Sequence, residues 1–257
     1  MGIDNIRLLG WGGGETGDIG MKLKDIIEMY ETKKKQYGDD AYLHISEIFE
    51  EARERYKQEY LASAKAQKLR AQGKTPDAEQ SWKAFKGKNF EKLIWHAIDN
   101  KFQSLPNLCC IHGASLVKKK LSEELAHVYD NLTVRYGRWA LLPDVDLVIY
   151  EPNTCKVVGV ISCKITLRER IAQTAYWKLK LASEPLRMHI KGYFITADED
   201  GDLVKGMSNP SRNRIIVEHE LDGTYSLRKV EESSKVKAFP KLIEDLRRLI
   251  NEQKKRG

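Results

Sequence analysis

Residues 142–150 read Leu-Pro-Asp-Val-Asp-Leu-Val-Ile-Tyr, and residues 162–164 read Ser-Cys-Lys. An apolar run closes the first stretch, and a second apolar run, 157–161, leads into the lysine. The segment between them, 151–156, contains a proline and an asparagine, which are typical of a turn. Two short apolar runs joined by a turn predict a β-hairpin.

The polar residues of this hairpin are arranged in pairs. Successive strand side chains point to opposite faces, so Ser162 and Lys164 share one face, as do Asp144 and Asp146. The hairpin can bring the two pairs together. A carboxylate beside a lysine binds metal and stabilises charge, so a catalytic site is one interpretation. An ordinary hairpin with a charged rim is the other.

The composition sets bounds on the function. The 257 residues are enough for one large domain or two modest ones. Forty-four basic residues against thirty-seven acidic ones give a net charge of +7, which suits a polyanionic partner without requiring one.

The sequence also indicates where the protein works. No apolar run approaches the roughly 20 residues that a bilayer requires, and the first residues do not resemble a secretory signal. The four cysteines have no CxxC spacing and are interpreted as reduced thiols. We expect a cytoplasmic protein that does not bind a membrane.

The pattern along the chain predicts two regions. Residues 21–70 show apolar positions at steps of three and four, which predicts two or three helices. We expect a helical N-terminal region over residues 1–76 and an α/β domain over 77–257, with a mixed β-sheet flanked by helices. Strands are predicted at 108–111, 145–150, 157–161, 190–197, 214–219 and 225–230, and helices at 78–99, 115–131, 167–182 and 241–254.

The N-terminal region carries five aromatic residues on its predicted helices. They are Tyr30, Tyr42, Phe49, Tyr56 and Tyr60. These side chains can serve as internal packing, or they can form a dimer interface or a clamp around a partner.

A charged triplet follows the lysine of the hairpin. Residues 167–182 are predicted to form a helix, with Thr166 as its N-cap and Arg168, Glu169 and Arg170 in its first turn. Arginine can donate two hydrogen bonds to guanine, and glutamate can accept one from cytosine N4. The triplet therefore matches the edges of G and C, while its alternative interpretation is a solvated helix start.

The acidic hairpin and its lysine resemble the PD-(D/E)xK nuclease superfamily. The resemblance implies that acidic residues hold Mg²⁺ and that the lysine assists the attack of water on a phosphodiester. The (D/E)xK element here reads Ser162-Cys163-Lys164, so one expected carboxylate is missing. The run from Ser162 to Arg170 resembles more specifically the CCGG family of type II restriction endonucleases, in which an SxK element precedes an arginine and a (D/E)R pair.

The resemblance implies roles for individual residues. Asp146, slightly favoured over Asp144, would bind the metal, and Lys164 would orient water and stabilise charge. Glu91 lies in a GxxFE segment beside an apolar helical stripe, as does a helix that supplies an additional carboxylate in many superfamily members. Its alternative is a surface pair with a nearby lysine. Glu184 is a weaker candidate for a compensating acid.

The resemblance further implies Mg²⁺-dependent cleavage of double-stranded DNA at a palindromic site with a CCGG core. The two-fold symmetry of such a site predicts a homodimer or a higher homo-oligomer. Two alternatives stay open: a DNA-binding protein that keeps a nuclease scaffold without cutting, and a nuclease that selects DNA structure. The serine at position 162 favours the first, and the charged triplet speaks against the second.

Overall fold

The computed structural model of the chain describes residues 20–102, 105 and 107–254. Eight α-helices are found among these residues: α1 Leu23–Tyr37, α2 Ile45–Ala62, α3 Ala64–Ala71, α4 Ala78–Phe102, α5 Glu123–Leu132, α6 Arg168–Ala182, α7 Arg212–Glu220 and α8 Lys241–Lys254. The strands are β1 Cys109–His112, β2 Val134–Tyr136, β3 Trp139–Leu141, β4 Leu147–Tyr150, β5 Val157–Lys164, β6 Lys191–Thr196, β7 Gly223–Ser226 and β8 Val236–Ala238. Short 3₁₀ segments occupy Gly38–His44 and Gly113–Val117.

Six strands form one sheet in the order β1-β4-β5-β6-β7-β8, and β2 pairs with β3 in a separate hairpin. The pairs β1/β4 and β4/β5 are antiparallel, whereas β5/β6, β6/β7 and β7/β8 are parallel. Helix α6 joins β5 to β6 and α7 joins β6 to β7, whereas β7 and β8 are connected by residues 227–235 without a helix. The predicted mixed sheet flanked by helices is confirmed.

The two faces of the sheet bury different side chains. Leu147 and Ile149 of β4 belong to a core cluster with residues of α1, α2, α4 and α8. Val148, between them, points to the opposite face and packs with Val128 of α5 and Leu181 of α6. Since β4 is covered on both faces, it has no polar side, and its sequence is therefore a continuous apolar run.

The N-terminal helices are part of the core. All five predicted aromatic residues, from Tyr30 to Tyr60, are buried. Phe49 lies 6.3 Å from Trp82 of α4 between ring centroids, and Tyr56 lies 4.5 Å from Phe85. Internal packing accounts for these rings, while a role of the region in dimerisation or clamping stays a prediction, as does the domain boundary at residue 76.

One predicted strand is wrong. Residues 214–219 lie in helix α7. The β-branched run Ile215, Ile216 and Val217 is typical of a strand, but helix signals beyond the run prevail. Ser211 caps the helix by accepting a hydrogen bond from the Arg214 N–H at 3.0 Å, and side chains four residues apart are paired on its buried face.

Two other boundaries differ from the prediction. The helix expected over 115–131 is a 3₁₀ segment, Gly113–Val117, followed by α5, which begins after the N-cap Ser122. The strand expected at 225–230 is β7, which begins at Gly223 and ends at Ser226. Within the described residues, no helix has both the length and the apolar character to cross a membrane.

Arg214 is a buried cation that holds three segments together. Its guanidinium donates to Glu218 at 2.8 Å, to the carbonyl of Leu203 at 3.0 Å and to the carbonyl of Glu231 at 2.9 Å. Glu218 also accepts from the hydroxyl of Ser233 at 2.8 Å. Each of the three guanidinium nitrogens therefore donates to a different part of the chain.

Replacement of Arg214 by Met should lower the free energy of unfolding by about 3 kcal/mol, because Glu218 is left as a buried unpaired charge. Chemical denaturation measures this change. The exposed Arg212 at the start of the same helix is the control, and Arg212→Met should change stability by less than about 0.5 kcal/mol. Equal effects of the two variants would contradict the assignment.

Candidate active site

The central pair of the site is Asp146 and Lys164. The predicted hairpin is confirmed as the antiparallel pair β4/β5, in which Leu147 lies opposite Ile161. Asp146 precedes β4 and Lys164 ends β5, so both lie at the same end of this pair. The Lys164 ammonium donates to both carboxylate oxygens of Asp146, at 2.8 and 2.9 Å. Asp146 is the more enclosed partner, with 9% of its side chain exposed against 28% for Lys164.

Backbone groups fix the position of Asp146. The Cys163 N–H donates to its carboxylate at 2.6 Å, and the Gly113 N–H donates to its carbonyl at 2.9 Å. A Cβ at position 113 would lie 2.0 Å from the carbonyl oxygen of Val145, so a side chain cannot be accommodated there without displacement of the backbone. Gly113 thus permits the close approach that holds Asp146 against the end of β1.

Glu91 reaches the same pair from α4. Burial, and then its hydrogen bond with the Asp146 carboxyl, raise the pKa of Glu91 to about 7. The positive charge of Lys164 acts in the opposite direction. Two carboxyl groups and one ammonium therefore meet at one point, although their sequence positions span more than seventy residues. Such a carboxyl pair is stabilised by a proton or by a cation.

The donor set fits a divalent cation of the magnesium type. Mg²⁺ is usually held by one or two carboxylates, together with waters and substrate phosphate oxygens, rather than by a complete protein cage. Asp146 and Glu91 are such a pair. Among the residues that the structure describes, no group of three or more His, Cys, Asp or Glu side chains is arranged to hold a metal ion.

A cleft of about 380 Å³ opens beside these groups. Its lining includes Glu91, Asp144 and Asp146. Asp144 is exposed, and its carboxylate accepts a hydrogen bond from Gln173 of α6 at 2.9 Å. The contacts therefore favour Asp146 over Asp144 as the partner of Lys164.

His112 also lines the cleft, and sequence analysis gave it no functional role. It ends β1, directly opposite Leu147, the residue after Asp146. Burial and then the charge of Lys92 lower the pKa of His112 to about 4, so its imidazole is neutral at neutral pH. The pairing of β1 with β4, which no local pattern reveals, is what brings His112 to the site.

The other two predicted residues occupy different environments. Ser162 is buried in β5 and lies opposite Phe194 of β6. Glu184 follows the C-terminal end of α6, where it accepts from the Arg135 N–H at 3.1 Å and pairs with Arg187. A helix of 15 residues is about 22 Å long, and Lys164 lies near its other end. The contacts of Glu184 anchor a loop, so its catalytic role stays a prediction without a supporting contact.

The segment that joins Lys164 to α6 is held by a loop after β6. The carbonyl of Ile165 accepts from the Glu199 N–H at 3.2 Å and from the Thr196 hydroxyl at 3.3 Å. The Leu167 N–H donates to the Asp200 carboxylate at 3.1 Å. The predicted N-cap, Thr166, is corrected to Leu167, which makes no side-chain cap of its own, and Asp200 supplies the acceptor instead.

This loop is itself anchored in two directions. The Lys86 ammonium of α4 donates to the Glu199 carboxylate at 2.7 Å. Asp198 is fully buried, its carboxylate accepts from the Leu203 N–H at 3.2 Å, and its carbonyl accepts from Arg228 at 2.9 Å. Helix α4 thus carries both Glu91 and the cation that fixes the loop.

The charged triplet lies in the first turn of α6. Arg168 and Arg170 are exposed, whereas the side chain of Glu169 lies outside the described part of the chain. Arg168 has a φ of 34°, in the left-handed region that non-glycine residues rarely adopt. The exposed arginines leave this helix start accessible to a partner.

Burial has the largest effect on the Asp198 carboxyl and raises its pKa to about 6. The hydrogen bond from the Leu203 N–H acts in the opposite direction and lowers the pKa. The folded chain therefore retains a proton that the unfolded chain releases above about pH 4. The stabilising contribution is full below that value and is lost as the pH rises through 6.

Asp198→Asn should therefore gain stability relative to the parent protein by about 1.4 kcal/mol per pH unit between roughly pH 4 and 6, and nothing further above pH 7. Urea unfolding at several pH values measures the difference. The control is Asp39→Asn at a carboxylate that is 94% exposed, where the difference should stay within about 0.5 kcal/mol. A pH-independent difference for Asp198→Asn would refute the assignment.

Comparisons with known proteins identify relatives of this chain. The family model described as "BsaWI restriction endonuclease type 2" matches residues 119–249, just over half of the chain. The putative type II restriction enzyme MjaVIP of Methanocaldococcus jannaschii is 36% identical over 208 residues, which cover 79% of this chain and 92% of the relative. The probable type II restriction enzyme HpyAORF263P of Helicobacter pylori is 27% identical over 186 residues, or 72% of this chain and 95% of the relative.

A similar fold occurs in the restriction endonuclease PspGI, solved in complex with its substrate DNA. The TM-score is 0.53 at 15% identity, over 90% of this chain and 94% of that one. This likeness concerns the fold alone. On the strength of the family model and of the relative from M. jannaschii, the chain belongs to the BsaWI family of type II restriction endonucleases.

Proposed function

We propose that the protein cleaves both strands of DNA, in a Mg²⁺-dependent reaction, at a palindromic site with a CCGG core. One observation carries the proposal: the Lys164 ammonium lies 2.8 Å from the Asp146 carboxylate, and Asp146 and Glu91 line the same cleft. Two carboxyls and a lysine beside an open cleft are the groups that phosphodiester hydrolysis requires.

Asp146 and Glu91 would hold the metal. When bound there, Mg²⁺ would lower the pKa of a water and polarise a phosphate oxygen. Lys164 has a different part in the reaction. Its ammonium, which donates to both carboxylate oxygens of Asp146, would also donate hydrogen bonds to the attacking water and to the phosphate oxygens, where negative charge develops. We therefore assign it charge stabilisation rather than proton abstraction.

Glu91 answers the objection raised by Ser162. The serine has no carboxylate for a metal, and this absence favours a scaffold that binds DNA without cutting. The carboxyl of Glu91 supports the role of second acid, because α4 carries it to Asp146, and burial together with that neighbour raises its pKa to about 7. In this proposal the two acids are Asp146 and Glu91, and the second is supplied by a helix instead of a strand.

Base recognition is assigned to Arg168, Glu169 and Arg170. Two exposed arginines at the start of α6 support this assignment, and the loop containing Asp200 fixes the helix start relative to Lys164. Each good bidentate contact contributes about 1 to 3 kcal/mol to discrimination against a wrong base.

A palindromic target has two equivalent strands, so we propose that the active protein is a homodimer with one site for each strand. Its substrate in this proposal is double-stranded DNA, and we propose that it acts in the cytoplasm. The alternative of a nuclease that selects DNA structure has no specific observation in its favour. Exposed arginines at a helix start are compatible with base readout and with phosphate contact, so they do not favour it.

Incubation of the purified protein with mixed-sequence duplex DNA and Mg²⁺ should give discrete fragments whose ends share one CCGG-containing sequence. Sequencing of the fragment ends identifies the site. The control reaction contains a chelator and should give no fragments. Binding without cleavage would favour the non-cutting alternative, and nicks confined to branched DNA would favour the structure-selective one.

Lys164→Ala should reduce the cleavage rate at least about 100-fold, because a preorganised charge is removed from the developing negative charge. Binding of duplex DNA without divalent metal should be retained. Rates are measured by single-turnover cleavage, and binding is measured by fluorescence anisotropy.

The matched control is Lys191→Ala. Lys191 also pairs with an aspartate, Asp222, at 3.2 Å, but it lies at the opposite end of the sheet. Its replacement should leave the cleavage rate within a factor of about two. Undiminished cleavage by Lys164→Ala would remove the basis of the proposed mechanism.

A further inference from the structure

The hairpin formed by β2 and β3 exposes large apolar side chains. All three residues of β3 are exposed, with Trp139 at 64% and Leu141 at 50%. Gly137 has a φ of 61° in the two-residue turn between the strands, a conformation that suits glycine. Trp139 and Leu141 occupy alternate positions of the strand and so share one face, and neighbouring exposed apolar side chains of this size are typical of a contact surface.

Of the two strands, only β2 packs against the rest of the protein. Val134 of β2 is buried in the core cluster beneath α5 and α6. The hydroxyl of Tyr136 lies 2.7 Å from that of Tyr176 on α6, and the Lys180 ammonium lies over both rings, 5.5 and 5.8 Å from their centroids. Within the described residues, β3 has no strand on its other edge. Strand β3 is thus attached to the protein through β2 and exposes its own side chains.

The hairpin is cationic. No acidic residue occurs from 131 to 143, whereas Arg135 and Arg138 are both exposed. The Arg138 guanidinium lies 5.0 Å from the centroid of the Trp139 ring. An arginine stacked on an aromatic ring presents a flat surface that is both positively charged and apolar.

The hairpin borders the active-site cleft. The chain leaves β3 through Leu142 and Pro143, which line the cleft, and reaches Asp146 within five residues of Leu141. Val117 also lines the cleft, is 69% exposed and precedes three consecutive exposed lysines, 118–120. Two segments that adjoin cleft-lining residues therefore carry exposed positive charge.

We propose that the β2/β3 hairpin is an arm that contacts the DNA duplex beside the scissile phosphate, an inference that rests on the proposed nuclease function. Arg135 and Arg138 contact phosphates, and Trp139 and Leu141 enter a groove or stack on a base. The arm binds DNA outside the readout assigned to the start of α6.

The charge of the hairpin favours DNA over a second copy of the chain. A copy carries a net charge of +7, and the hairpin offers it no acidic group for pairing. A strand of three residues also offers far less surface than the roughly 800 Å² that each partner buries in a stable protein interface. A duplex supplies both the negative charge and the flat bases that this surface matches.

The test compares Trp139→Ala and Arg138→Gln with Leu186→Ala, a control at a side chain that is 82% exposed and lies after α6. Affinity for the cognate duplex is measured by anisotropy at several salt concentrations, without divalent metal. Trp139→Ala should weaken binding about tenfold, and Arg138→Gln should reduce the slope of log K against log salt by about one. Leu186→Ala should change neither quantity, and light scattering should give all variants the mass of the parent protein.

Two outcomes overturn the arm alone. Unchanged affinity and salt slope in both hairpin variants, with a parent protein that binds and cuts DNA, show that the arm does not contact DNA. A loss of oligomer mass in Trp139→Ala shows that a second copy covers the hairpin. Failure of the parent protein to bind any duplex overturns the proposed function and the arm with it. Circular dichroism of each variant verifies that the exposed substitutions leave the fold intact.

Discussion

The ion pair between Lys164 and Asp146 joins two chain segments that are eighteen residues apart, and the rest of the site is arranged around it. Asp146 is only 9% exposed, and a carboxylate so enclosed needs hydrogen-bond donors, which the Lys164 ammonium supplies to both of its oxygens. The backbone donor of Cys163 satisfies the aspartate further. Gly113 permits the close packing that fixes the aspartate backbone, and Glu91 adds a second carboxyl that a proton or cation must accompany.

The electrostatic arrangement extends through α4. Glu91 reaches the ion pair, and Lys86, five residues earlier on the same helix, reaches the loop that caps α6. The segment between Lys164 and Arg168 is consequently held at Ile165 and Leu167 by hydrogen bonds to a single loop. Lys164 and the start of α6, to which base readout is assigned by proposal, are thus held by the same loop contacts, so a displacement of the helix start would also displace Lys164.

Local patterns were sufficient for the elements that carry the chemistry. The apolar runs around the turn at 151–156 identified the hairpin, and the periodicity of residues 78–99 and 241–254 identified α4 and α8. The same reasoning failed at α7, where β-branched residues were outweighed by a cap and a buried ion pair. It also gave no sign of His112 or Asp200, because their places depend on strand order and on a loop more than thirty residues away from its partner. Residues that meet through distant segments leave no periodic signal.

The contacts around the site differ greatly in sequence separation. The two residues of the ion pair are eighteen positions apart in the sequence. Lys86 and Glu199, whose contact secures the loop, are 113 positions apart. Contacts between distant residues form late in folding, because the entropy of the intervening chain must be lost first. During synthesis the β4/β5 hairpin can therefore form while the start of α6 still lacks its cap. The loop contacts that fix the start of α6 relative to Lys164 are completed only after Asp200 has been made, so an emerging polypeptide does not yet hold these two segments in their final arrangement.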